Sequence, residues 1–244
     1  LISDIAWTKF AVYEHKERDF FIINDKNNLS FRDAYFLYGE EIERIIFNKS
    51  GVLTVSDAWK QGRYISFEPK INAEQAIMQM FSVHAVYHKG ILFHSSLVAT
   101  ENRKGIMFLG PSGIGKTTQA ELWNRFRNAM IINGDITFSQ EIEEIFYSCG
   151  VPWHGSSPYC ENAKVPLSSM ILLKQSSKNS IRELVGLEKV VEVSRSVFYP
   201  RWMDNGIEQC LSILERLLKN TPVYELSCRP DEESVRLVEK TVFG

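Results

Sequence analysis

The chain has 244 residues, with 28 Lys and Arg against 30 Asp and Glu, a formal net charge of −2 and 44% hydrophobic residues. That is enough apolar material for one large domain, or a domain with an appendage, and scattered cations on a nearly neutral chain offer no footprint for nucleic acid or an anionic membrane. No apolar run approaches the roughly 20 residues that cross a bilayer, and Cys149, Cys160, Cys210 and Cys228 form no C-x-x-C pair or zinc-type spacing, which suits free thiols in a reducing cytoplasm.

Residues 1–70 are rich in aromatic and β-branched residues. Turn signals at Asn24-Asp25-Lys26-Asn27-Asn28 and Asn48-Lys49-Ser50-Gly51 predict strands joined by hairpins, a small β-rich N-terminal lobe. From Asn72 the period changes: Ala73, Ala76, Ile77, Met80, Phe81, Val83, His84 and Tyr87 recur at helical spacing as far as Gly90. They predict a core-facing helix of about four turns. Ile91 to His94 and Leu97 to Thr100, followed by a polar turn at Glu101 to Lys104, predict a hairpin that feeds the short apolar run Gly105 to Leu109, which suits a buried strand. The chain is therefore divided into residues 1–70 and a core of residues 71–244 that carries C-terminal helices.

Gly110-Pro111-Ser112-Gly113-Ile114-Gly115-Lys116-Thr117 meets every fixed position of the phosphate-binding loop G-x-x-x-x-G-K-[ST]. Its glycines let backbone N–H groups turn toward phosphate oxygens, Lys116 brings a positive charge to the terminal phosphates, and Thr117 offers a hydroxyl to Mg²⁺. Thr118 continues into a segment where Ala120, Leu122, Trp123 and Phe126 keep helical spacing. Strand, loop and helix together predict a nucleoside triphosphate site over Gly110 to Thr118.

Ala129 to Ile132 reads as the next strand, ending at Asn133-Gly134-Asp135, where a carboxylate can reach a metal held between phosphates. Ile171 to Leu173 reads as another strand. His94 is a lone strand histidine, a type that more often satisfies a core than acts. His154 lies between Trp153 and Gly155 in an irregular stretch, either as a substrate contact or as part of a loop that Trp153 holds down. Lys164 and Arg201 are cations that clamp an anionic group or stay solvated. Asp204 or Asn205 can cap a helix carrying Ile207, Cys210, Leu211, Leu214, Leu217 and Leu218 that stops before Pro222, and a last helix follows Pro230-Asp231-Glu232-Glu233.

Taken jointly, His94-Ser95-Ser96, the hairpin, Phe108 through Thr118, and Ile132-Asn133-Gly134-Asp135 resemble the bacterial HPr serine kinase/phosphorylase group and, more distantly, ATP-dependent phosphoenolpyruvate carboxykinase. Pro152-Trp153-His154-Gly155 and Ala163-Lys164-Val165-Pro166-Leu167 look like segments of the small HPr-kinase-related proteins of peptide-modifying pathways, among them kinases that phosphorylate a serine of a lasso-peptide precursor. The resemblance spans about residues 90 to 240. It implies an α/β (α+β) fold with an HPr kinase/carboxykinase-like P-loop core, ATP and Mg²⁺ as cofactors, and His94, Lys116 and Asp135 in the active site. It further implies Thr117 and Asp135 on the metal, a serine hydroxyl of a small protein or peptide as acceptor, and permits a homo-oligomer.

Two positions depart from that pattern. Gly134 stands where HPr kinases carry the first of two adjacent aspartates, the one taken as proton acceptor, and Thr118 stands where they often carry a glutamate. The first departure leaves Asp135 as metal ligand, base or both, and argues against a reverse phosphorylase activity. A metabolite kinase or carboxykinase-like enzyme, and a non-catalytic ATP-binding sensor or scaffold, are the alternative functions.

Overall fold

In the computed structural model, residues 9–14, 44–48, 51–56, 58–66 and 73–244 are described. Among them, thirteen strands and five helices give a mixed α/β architecture. The chain divides into two compact units, one of Ile5–His84 and one containing Ala85–Gly244.

In the smaller unit, β1 (Lys9–Glu14), β2 (Arg44–Asn48), β3 (Gly51–Ser56) and β4 (Gln61–Ser66) form a sheet in the order β1-β4-β3-β2. β1 is parallel to β4 and the other pairs are antiparallel. Asn48 lies opposite Gly51, the hairpin that the turn signal there predicts. The signal at Asn24 to Asn28 lies outside the described residues. Val52, Leu53, Val55, Trp59 and Tyr64 are buried, and Nε2 of the buried His84 bonds the Trp59 carbonyl at 2.8 Å. Helix α1 (Glu74–Tyr87) forms where the apolar spacing predicts it. The boundary between the units falls inside this helix.

The larger unit is built on a nine-stranded sheet of β5 (Gly90–Ala99), β6 (Gly105–Leu109), β7 (Met130–Asn133), β8 (Ile136–Ile142), β9 (Ile145–Gly150), β10 (Lys164–Gln175), β11 (Ser180–Glu183), β12 (Val197–Phe198) and β13 (Val223–Cys228). Its main path runs β11-β13-β10-β6-β5-β8-β9, with β7 and β12 also paired to β5. The two long strands change partners along their length. β5 pairs with β8 as far as His94 and with β6 from Ser95 onward; β10 pairs with β9 at Lys164 to Pro166 and then with β6 and β13. The two apolar stretches read separately at Ile91 to His94 and Leu97 to Thr100 are thus one strand. Ser95 and Ser96 interrupt the hydrophobic pattern because both hydroxyls are fully buried and satisfied inside: Ser95 Oγ bonds Thr137 Oγ1 at 2.6 Å, and Ser96 Oγ donates to the Lys116 carbonyl at 2.9 Å.

Helices α2 (Lys116–Arg127) and α5 (Glu232–Phe243) cover this sheet, joining Ala120, Trp123, Val235 and Val238 to Val98, Ile106, Phe108, Ile171 and Leu226 in one core. Short helix α3 (Gly186–Ser194) precedes β12. Helix α4 (Gly206–Asn220) buries Cys210, Leu214, Leu217 and Leu218, as its sequence spacing predicts. Its expected side-chain cap does not form, since Asn205 sits at the N-cap in the left-handed region (φ 55°), with no cap bond from its amide. In α5 the Asp231 side chain does accept from the Ser234 N–H. Among the described residues, no helix is long and apolar enough to cross a membrane.

Candidate active site

The partner switch in β5 creates the site. Ser95 pairs with Leu109, the last residue before the glycine-rich loop, while the adjacent His94 pairs with Ile136, the residue after Asp135. Two loops distant in sequence therefore emerge on either side of one dipeptide. Backbone bonds fix the strand there: the Ser95 N–H donates to the Asp135 carbonyl at 2.8 Å, and the His94 N–H to the Ser196 carbonyl at 2.7 Å.

The loop itself holds Gly110, Gly113 and Gly115 at φ of 138°, 79° and 114°, values that side-chain-bearing residues rarely adopt. Gly115 is the N-cap of α2, so that helix opens without a side-chain cap, and a helix N-terminus left uncapped offers its first N–H groups to an anion. Lys116 is 6% exposed and its Nζ donates to the Gly110 and Pro111 carbonyls at 3.1 and 3.2 Å. Burial lowers its ammonium pKa from the ordinary value, and the Asp135 carboxylate pulls it back up. Thr117 Oγ1 donates to the Gly134 carbonyl at 3.0 Å. That direction leaves the oxygen's lone pairs for a cation.

Asp135 faces the same loop. Its Oδ1 accepts from His94 Nε2 at 3.1 Å, and both side chains are about one-third exposed, at 30% and 33%. Burial, then the Lys116 charge, lowers the His94 pKa from the ordinary 6.5, and these outweigh the pull of Asp135 in the other direction. The imidazole is accordingly neutral at pH 7, with Nε2–H as the donor to the carboxylate. Thr117 and Asp135 make a donor set of one hydroxyl and one carboxylate, which suits Mg²⁺ completed by substrate phosphates and water. Among the described residues, no group of three His, Cys, Asp or Glu forms an all-protein metal cage.

Three further residues shape the site. The fully buried Asn133 accepts the Asp135 and Ile136 N–H groups on Oδ1 at 2.9 and 3.1 Å, and donates from Nδ2 to the Val151 and Trp153 carbonyls at 2.9 and 3.3 Å. One side chain thereby fixes both the Asp135 turn and the loop of residues 151–161. In that loop Gly155 (φ 56°) abuts Asp135, where a Cβ would meet Oδ2 at 2.5 Å. Ser157 fills the space beside Gly134: a Cβ there would stand 1.8 Å from Ser157 Oγ. The volume that a side chain at Gly134 would need is thus held by a residue 23 positions later.

His154 Nδ1 bonds the Ser157 carbonyl inside the same loop, and Trp153 is buried at 6% exposure. Lys164 lies at the start of β10 with Nζ 5.2 Å from the Tyr147 ring centroid, and Arg201 is exposed after β12. Neither is among the residues that bond Lys116, Thr117 or Asp135.

No family model and no curated protein matches the chain. Among solved structures, the Hpr(Ser) kinase/phosphatase from Coxiella burnetii superposes with a TM-score of 0.37 at 11% identity, covering 62% of this chain and 95% of that one. A likeness of that size decides nothing about function, which rests on the residues of the site.

Proposed function

We propose that the chain is an ATP- and Mg²⁺-dependent kinase that transfers the γ-phosphoryl group to a serine-type hydroxyl of a small protein or peptide. The carrying observation is the convergence of Lys116, Thr117 and the His94–Asp135 pair on one glycine loop. Lys116 leaves the loop carbonyls for the phosphate oxygens. Thr117 and Asp135 would hold Mg²⁺, which would offset the charge that develops on the phosphate oxygens. The acceptor oxygen bonds to the γ-phosphorus, the bond to the β–γ bridging oxygen breaks with its electron pair leaving on ADP, and the hydroxyl proton passes to Asp135. Because phosphoryl transfer depends mainly on positioning, a single carboxylate aimed by neutral His94 is sufficient. His94 acts as a positioning residue, and His154 is our candidate contact for the acceptor.

The test is transfer of label from γ-labelled ATP into dialysed extract of the source cells, comparing wild type with Lys116→Ala. Lys116-dependent label in a peptide or protein is the expected result, and Asp135→Asn should lower it by about 10²–10⁴-fold. Label confined to small molecules would favour a metabolite kinase. Tight ATP binding with no transfer would overturn the kinase in favour of a sensor, a reading that Ser157 in the volume of the absent aspartate keeps in view.

A further inference from the structure

The turn at residues 154–157 and the Gly134-Asp135 dipeptide fit into each other. The Ser157 N–H closes the turn on the His154 carbonyl at 3.0 Å. The chain that follows is tied to the end of β7, by the Glu161 N–H on the Ile132 carbonyl at 2.7 Å and the Gly134 N–H on the Tyr159 carbonyl at 3.3 Å. Each side gives up a side chain to the other. A Cβ on Gly155 would meet Asp135 Oδ2 at 2.5 Å, and a Cβ on Gly134 would meet Ser157 Oγ at 1.8 Å. The same point beside Gly134 lies 3.7 Å from Thr117 Cγ2, so the Ser157 hydroxyl borders the two residues, Thr117 and Asp135, that would hold Mg²⁺.

That hydroxyl is inside the fold and its proton is uncommitted. Ser157 is 9% exposed, which puts it out of reach of another protein's active site. Its oxygen accepts the Tyr159 N–H at 3.3 Å, longer than most such bonds, and among the described residues its proton has no acceptor. A buried hydroxyl ordinarily finds a partner for its proton, as Ser96 does on the Lys116 carbonyl at 2.9 Å. The rest of the residue is held firmly. His154 Nδ1 bonds the Ser157 carbonyl, and Asn133 holds the Val151 and Trp153 carbonyls at the start of the same loop. The serine is thus fixed at its N–H and its carbonyl, with its O–H left open beside Asp135.

We infer that Ser157 is an acceptor of the γ-phosphoryl group within its own chain. This rests on the kinase reading of the glycine loop and names a substrate for it. Ser157 Oγ bonds to the γ-phosphorus, the bond from that phosphorus to the β–γ bridging oxygen breaks with its electron pair leaving on ADP, and the hydroxyl proton passes to Asp135. Because the fold already holds the acceptor, its approach costs no translational freedom. Transfer is therefore unimolecular in the ATP-bound chain and ends at one phosphoryl group per chain.

The test uses the purified full chain with Mg²⁺ and γ-labelled ATP, and no extract. Label should enter the chain, map to Ser157 by mass spectrometry, level off at one per chain, and form with a rate constant that does not change on dilution. Lys116→Ala should take up none. Ser157→Ala and the nearly isosteric Ser157→Cys, each shown to bind ATP, should lose the label, while Ser156→Ala, at the exposed neighbour in the same turn, should keep it. Label on another residue, a rate constant that rises with chain concentration, or an unlabelled chain that still transfers label into extract overturns self-transfer and leaves the kinase reading standing. An ATP-bound chain that labels neither itself nor the extract sinks the kinase reading, and self-transfer with it.

Discussion

Asn133 shows how much of the site hangs on a residue that need not touch substrate. Its carboxamide accepts two backbone N–H groups and donates to two carbonyls, and a buried polar group left without its partner costs about 1–3 kcal/mol. Asn133→Ala should therefore lower stability on the order of 2–4 kcal/mol in urea titrations, and should reduce kcat more than it raises KM for ATP, because Asp135 loses its turn while the loop keeps its glycines. Gly134 carries the complementary prediction. Its φ is not positive, so the constraint is space, and Gly134→Ala should cost about 1–3 kcal/mol through overlap with Ser157. Adding Ser157→Gly should restore most of that loss. If the double variant is as unstable as the single, Ser157 is not what excludes the side chain. The loop residues were legible at this scale because they are contiguous and each has a fixed role. Ser157 was not, because nothing links it to Gly134 except the folded path of residues 151–161.

Elements were legible where apolar period and punctuation agree, as in β6, α1, α2 and α4, and illegible where a turn uses unusual residues. The β8–β9 hairpin is the clearest case. Ile142 pairs with Ile145 around Glu143 and Glu144, both at positive φ (49° and 66°), the conformation that Asn-Gly adopts most readily. A two-glutamate turn carries no sequence signal for a hairpin. Glu143→Asn with Glu144→Gly should raise stability by about 1 kcal/mol, since left-handed backbone costs an ordinary residue about that much; no change in the denaturation midpoint would mean the strain is relieved elsewhere. The start of α5 gives the opposite case, a cap that is present. Burial works to raise the Asp231 carboxyl pKa, but the Ser234 N–H, the Asn179 amide and Arg229 outweigh it and hold it below 3.8. Such a lowered value stabilises the fold above the unfolded-state pKa, and that stability is lost as pH falls through the folded one. Asp231→Ala should cost about 1 kcal/mol at pH 7. The gap from wild type should narrow as pH falls from 3.8 and close once the pH is below the folded-state pKa, and a gap that does not narrow with acid would assign the loss to packing.

At the scale of the whole molecule, the pairing of β5 with both β6 and β8 brings His94 to Asp135, and the pairing of β10 with both β6 and β13 brings the helix that follows β6 and the end of β13 together, Gln119 with Cys228. The first pair was legible only through resemblance to a family pattern. The second was not, because the lateral order of parallel strands leaves no periodic trace in any of their segments. Every residue assigned to the nucleotide lies in Ala85–Gly244, which forms one compact unit, while Ile5–His84 forms the other. Ligand binding stabilises the state that binds it, by about 2.7 kcal/mol at 100 times Kd, and local opening is free to differ between cooperative units. Mg-ATP should accordingly slow amide exchange at residues 105–120, 131–136 and 173–176 and leave β3 and β4 at their ligand-free rates, and in Lys116→Ala it should slow none of these amides. Equal protection of β3 and β4 would show that the two units open together, in which case the smaller sheet is part of the nucleotide-responsive body.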